Sequence, residues 1–148
     1  MLSKLQRLAD LTLIEHALLL QLSVLSLLLR IVLASMALPC LTSILSRTAS
    51  FPLISQIPLF HTRCTVDRLL TLVDLATAMS HRGGRCLPRS LLLFWLLCAR
   101  RESVDLCLGA SKNMASLEGH AWVERGGVVL GDTLSFTNRY ALLLRLSA

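Results

Sequence analysis

The sequence predicts an α+β fold: a hydrophobic helical region over residues 1–50, then a domain over 62–148 whose small antiparallel sheet packs on one central helix. Three observations carry that expectation. Residues 2–45 are leucine-rich and meet their first strong breaker at Pro39. Leu91 to Leu97 is an unbroken apolar run opened by Pro88, as expected of a buried helix with proline in its first turn. Gly126-Gly127 separates two short runs containing Val, Trp and Leu, which reads as a β-hairpin.

At 148 residues the chain suits one domain with a substantial core. Hydrophobic residues make up 54% and charged ones 16%, an apolar balance whose excess lies mostly in the first sixty residues. Aromatic residues make up only 5%, so a base-stacking nucleic-acid surface is not expected despite the net charge of +6. The arginines stand singly or in pairs, at Arg82, Arg85, Arg89, Arg100 and Arg101, so the positive balance reads as attraction to a partner or a surface. Five cysteines, at 40, 64, 86, 98 and 107, include no C-x-x-C pair. The odd count and that spacing argue against a disulfide framework or a zinc site, and imply a reducing compartment.

In the N-terminal region, Asp10 and Glu15 stand between the basic Lys4 and Arg7 and the apolar run, unlike a secretory signal. Ala34-Ser35-Met36-Ala37 imitates a cleavage site but lies late and follows Arg30. The charge-free runs, 17–29 and 31–46, each fall short of the roughly 20 residues that a spanning helix needs. Joining them would place Arg30 inside the membrane at a cost of about 2.5–3.5 kcal/mol, which many leucines would offset. The expectation is one or two helices, buried or lying on a membrane surface, with the protein cytoplasmic or peripheral to the inner face of the membrane. Pro52 and Pro58 mark residues 51–61 as a connecting loop.

Thr65 is a plausible cap, and Asp67 complements the dipole of a helix that Val66, Leu69, Leu70, Val73, Ala76 and Ser80 carry to about Ser80. Gly83-Gly84 ends it. A second helix is expected from about Pro88 to Arg101, with Arg100 and Arg101 at its negative end. Cys86 would precede that helix, where free backbone N–H groups and the neighbouring Arg85 and Arg89 favour a thiolate. Taken alone, Cys86 admits both a structural and a reactive reading. Cys98 and Cys107 lie in apolar runs and read as small buried hydrophobes. Val104 to Gly109 reads as a strand.

A three-residue loop, Arg125-Gly126-Gly127, would set Glu124 opposite Val128, Trp122 opposite Leu130 and His120 opposite Asp132. A carboxylate opposite a histidine would fix its tautomer and stabilise its imidazolium. A two-residue loop would put the pair on opposite faces. On the hairpin alone, His120 is better accounted for as a plain strand residue.

A cysteine at a helix start, then a strand, then a histidine strand and an aspartate strand, is the chain order of the transglutaminase-like, papain-like cysteine proteins. The words Cys86-Leu-Pro-Arg-Ser-Leu91, the Val104 to Ala110 strand and His120-Ala-Trp-Val-Glu124 resemble those of lasso-peptide maturation proteases over roughly residues 62–140. Gly119 departs from the alanine commoner there. The resemblance implies a cysteine peptidase that removes the leader of a ribosomally made precursor peptide, after which a separate ATP-dependent lasso cyclase closes the ring. It implies Cys86 as nucleophile, His120 as base and later acid, and Asp132 as orienting carboxylate, with the backbone N–H of Cys86 in the oxyanion hole. Some relatives carry a fused leader-recognition domain; this chain resembles the split form, which relies on a separate leader-recognition protein. His81 competes for the base role, and Glu124 is expected at the surface. Rival readings are acyl transfer to an amine on the same triad and a non-catalytic membrane adaptor. No G-x-x-x-x-G-K-[ST] or H-E-x-x-H motif supports a nucleotide or metal, so no cofactor is expected.

Overall fold

The computed structural model describes residues 11–35, 40, 44, 61–80, 84–111 and 118–147. The expected loop at 51–61 lies almost wholly outside the described residues, as do His81, Gly83, Met36 and Ala37. In chain order the elements are α1 (Leu13–Ser35), a 3-10 turn (His61–Arg63), α2 (Val66–Ser80), α3 (Cys86–Ala99), β1 (Asp105–Ser111), β2 (Gly119–Arg125), β3 (Val128–Leu130), α4 (Leu134–Thr137) and β4 (Tyr140–Ser147). The strands form one antiparallel sheet in the order β3-β2-β1-β4.

Nine of the 14 residues of α3 are buried, so this helix has no solvent face and must be enclosed. Helices α1 and α2 pack on it, as do β1 and β2 of the sheet. Leu18 and Leu22 of α1, Leu69, Leu72 and Val73 of α2, Leu93, Phe94 and Leu97 of α3, and Leu106 and Val123 of the sheet make one continuous core. Each such side chain contributes about 1.5–3 kcal/mol on burial, and together they hold α3 where its first turn meets the sheet.

Helix α1 begins with a capping box that fixes its first turn. The backbone N–H of Thr12 donates to Glu15 Oε2 (2.7 Å), and the Glu15 N–H donates to Thr12 Oγ1 (3.3 Å). The Glu15 carboxylate also pairs with Arg68 of α2, which holds it down to a pKa of about 2. The helix runs unbroken through Arg30, whose side chain is exposed, so the two charge-free runs are not two helices over the described residues. By length and composition α1 is long and apolar enough to cross a membrane, a test that the core helix of a soluble protein also passes. Its second face leaves Leu20, Val24, Leu27, Leu28 and Ile31 exposed.

Helix α2 spans the expected Val66–Ser80, and Thr65 Oγ1 accepts the Arg68 N–H (3.3 Å) as a cap. Helix α3 starts two residues earlier than expected, so Cys86 is its first residue and not its antecedent. It ends at Ala99 because Arg101 takes a left-handed conformation, φ 61°, and turns the chain toward β1. Strand β4 is not among the strands that the sequence predicts. Ala141-Leu-Leu-Leu144 has no alternation, and pairing along the whole length of β1 makes it a strand.

The hairpin register differs from the expectation. Arg125 pairs with Val128, Glu124 with Val129 and Val123 with Leu130, so the loop is the two residues Gly126-Gly127. Both glycines have positive φ, 57° and 80°, the conformation whose twist matches the flanking strands and keeps Arg125 in the ladder. Glu124 is therefore not opposite Val128, nor Trp122 opposite Leu130. Continued regularly, this register would set Asp132 opposite Ala121, away from the His120 face.

Candidate active site

Strand β3 does not continue regularly. Gly131 takes φ 74° and breaks the strand directly after Leu130, and the turn returns Asp132 to the His120 side. His120 Nε2 lies 3.0 Å from Asp132 Oδ2, with the two side chains 11% and 19% exposed. The pair expected from the wrong register thus forms by another route. A Cβ at 131 would also press on the guanidinium of Arg89 and on Leu70 Cδ2 at 2.7 Å, so those side chains would have to shift.

Cys86 is brought to His120 by a buried tie between α3 and β2. Ser90, one turn after Cys86, donates its hydroxyl to the Ala121 carbonyl (2.8 Å), beside His120 in the strand. Cys86 Sγ lies 4.0 Å from the Gly119 carbonyl. The hydrogen bond with His120 pulls the Cys86 pKa below its ordinary value, helped by the backbone groups of Ala121 and Leu87 and opposed by burial. Burial pushes the His120 pKa down, but Asp132 and Cys86 outweigh it and raise it to about 9. Both shifts favour the pair as thiolate and imidazolium. Nε2 faces Asp132, which leaves Nδ1 for the sulfur.

Aromatic rings enclose the imidazole. Tyr140 stacks on it and Phe136 meets it edge-on, each with ring centroids 5.0 Å away, and Trp122 lies parallel at 5.9 Å. Gly109 pairs with His120 in the ladder and makes room for these rings. A Cβ at Gly109 would stand 3.0 Å from Tyr140 Cβ and 3.1 Å from Trp122 Cη2. The site opens on a cleft of about 510 Å³ lined by Asp74, Leu75 and Ala78 of α2, by Arg85 and Cys86, and by Asp132 and Phe136.

Arg89 does not simply add charge beside Cys86. Its Nε donates to Asp74 Oδ1, its Nη2 to the Gly131 carbonyl (3.0 Å), and its Nη1 lies 3.7 Å from Asp132 Oδ1. Glu124 was expected at the surface, but it accepts the Trp122 indole N–H (2.8 Å), pairs with Arg145 (3.0 Å) and is 12% exposed. Its position on the row of His120 and Trp122 draws it under the indole. Burial pushes Cys98 up to about 12 and Cys107 up to about 11, and raises Cys64. Among the described residues no three His, Cys, Asp or Glu side chains are grouped to hold a metal ion.

Ser90, Gly131 and Tyr140 are not among the site residues that the sequence predicts. A single hydroxyl in the apolar run of α3 and a glycine directly before Asp132 were the available signals.

A family model described as the transglutaminase-like superfamily matches residues 26–145. The chain belongs to the transglutaminase-like superfamily. Its members are typically cysteine-dependent enzymes, of protease and acyltransferase type. The transglutaminase-like match runs from within α1 into β4 and so takes in the Cys86 helix and all of the sheet but the last two residues of β4. Helices on a small antiparallel sheet, with an apolar N-terminal helix, are consistent with a transglutaminase-like core. No curated protein and no solved structure matches the chain significantly.

Proposed function

We propose that this protein is a cysteine peptidase that removes the leader from a ribosomally synthesised lasso-peptide precursor. The observation that carries the peptidase reading is Cys86 at the start of α3 beside His120, whose far nitrogen rests on Asp132, at the floor of an open cleft. The lasso-peptide assignment is supported by the words Cys86-Leu-Pro-Arg-Ser-Leu91 and His120-Ala-Trp-Val-Glu124 and by the strand between them. In this reading the Cys86 thiolate attacks the scissile carbonyl, and the backbone N–H of Cys86 steadies the oxyanion. His120 gives its proton to the departing amine of the core peptide as the thioester forms. Water then adds to the thioester, losing a proton to His120, and the leader leaves with a new carboxylate while Cys86 returns to thiolate.

The released core peptide is the substrate for an ATP-dependent cyclase, and a separate leader-recognition protein delivers the precursor. The exposed leucines of α1 suit a site at the inner face of the membrane. The test is incubation of the full chain with the precursor encoded beside it and the leader-binding partner, read by mass, with and without an added amine. Leader carrying a free carboxylate, lost in Cys86→Ala, is the expected product. Leader joined to the added amine would make the enzyme an acyltransferase, and an intact precursor would sink the proposal.

A further inference from the structure

The turn that aims Asp132 is held from outside the three residues assigned to chemistry. Strand β3 is only three residues long, and α4 after Asp132 only four, so neither anchors the turn between them. Its left-handed Gly131 supplies a change of direction but no fixed one. We propose that Arg89 is a positioning residue: it clamps the Gly131–Asp132 turn so that the Asp132 carboxylate faces His120. This rests on the assignment of Cys86, His120 and Asp132 made above.

Arg89 sits three residues after Cys86, on the same side of α3. The buried helix that carries the nucleophile therefore also carries the clamp. Its side chain is 13% exposed, and its planar fork donates to two acceptors in fixed directions and lies in ion-pair range of a third, Asp132 Oδ1 at 3.7 Å. Asp74 of α2 holds the Nε edge, the Gly131 carbonyl takes Nη2, and the outer oxygen of Asp132 faces Nη1. The inner oxygen of Asp132 is left to His120. Asp74 offsets the charge of Arg89, so what Arg89 brings to Asp132 is chiefly direction. Among the described residues, the titratable and charged groups facing the pair are Cys86, Asp132 and Tyr140 about His120 and Arg89 and His120 about Asp132, with Asp74 and Arg85 elsewhere in the cleft. A lysine keeps the charge but is a single point donor, and cannot hold Asp74 and the Gly131 carbonyl in one plane.

The experiment measures Cys86 alkylation by iodoacetamide against pH, which needs no peptide substrate, and precursor cleavage beside it. The full-length wild type, Arg89→Gln, Arg89→Lys, Asp132→Asn and the Arg89→Gln/Asp132→Asn double variant are compared, each checked for a cooperative melting transition. A misaimed carboxylate lowers the His120 pKa and weakens its hold on the thiolate. The alkylation midpoint should therefore move up by about 1 pH unit in Arg89→Gln, and cleavage should fall by about 10²-fold. Arg89→Lys should resemble Arg89→Gln, and Arg89→Gln should add nothing in the Asp132→Asn background. A folded Arg89→Gln with the wild-type profile, full rescue by lysine, or additivity with Asp132→Asn would each overturn the clamp while leaving the triad in place. If neither Arg89 variant folds, the residue is structural and the proposal fails. A wild-type Cys86 that alkylates like a free thiol overturns the triad itself, and the clamp with it.

Discussion

Replacing Asp132 by asparagine keeps the shape of the turn and removes one negative charge 3.0 Å from His120 Nε2. The His120 pKa stands at about 9 against an ordinary 6.5, although burial alone would lower it. At about 1.4 kcal/mol per unit, that rise is worth about 3 kcal/mol in favour of the imidazolium. Cys86 supplies part of it and remains in the variant, so Asp132→Asn should give up about 1–3 kcal/mol, or about tenfold to 10²-fold in the thiolate–imidazolium population. The serine-protease counterpart loses about 10⁴-fold. The loss here is smaller because the thiolate also receives backbone hydrogen bonds from Ala121 and Leu87. The assay is single-turnover cleavage of the proposed precursor, with the proposed leader-binding partner present, across the pH range. Wild-type activity should be lost on the acid side as Cys86 protonates and on the alkaline side as pH passes His120 near 9. In Asp132→Asn the alkaline limb should move toward neutrality. A folded Asp132→Asn with an unmoved alkaline limb and near-normal rates would refute the reasoning.

Iodoacetamide at neutral pH should label Cys86 fastest in the folded chain, because Cys98 and Cys107 are pushed up to about 12 and about 11; preferential labelling of Cys64 would count against the site. Glu15 has its carboxyl lowered from 4.5 to about 2 by Arg68 and by the Thr12 backbone, so it stabilises the fold above 4.5 and loses that contribution as pH falls through about 2. Glu15→Gln should cost about 1 kcal/mol near neutrality after solvent screening, with the gap to wild type closing in acid; thermal melts at several pH values check the sign. Gly109→Ala sets a Cβ 2.9 Å from the Ala141 carbonyl, so it should destabilise the sheet by about 1–3 kcal/mol and disturb the rings around His120, as denaturant unfolding would show. Alkaline carbonate should release much of the protein from membranes if α1 keeps one face in the core; complete retention in the pellet would favour a spanning helix.

What the sequence by itself determined is what depends on neighbours along the chain. The spacing from Val66 to Ser80 defines a helix, the unbroken run after Pro88 defines a buried one, and Gly126-Gly127 defines a hairpin, because helical period, proline and positive φ act within a few residues. The words around Cys86 and His120 were likewise legible. Tertiary structure alone decided how the parts meet. A two-residue loop would have turned Asp132 away from His120, and it is the break at Gly131, lying under Arg89 and Leu70, that brings Asp132 back. Arg89 pairs with Asp74, 15 residues away, and with the Gly131 carbonyl, 42 away; Arg68 reaches Glu15 across 53. The leucines of β4 become a strand only against β1. Such contacts leave no periodic trace in the chain, because each is set by the packing of α3 between two layers and not by the preference of any single segment.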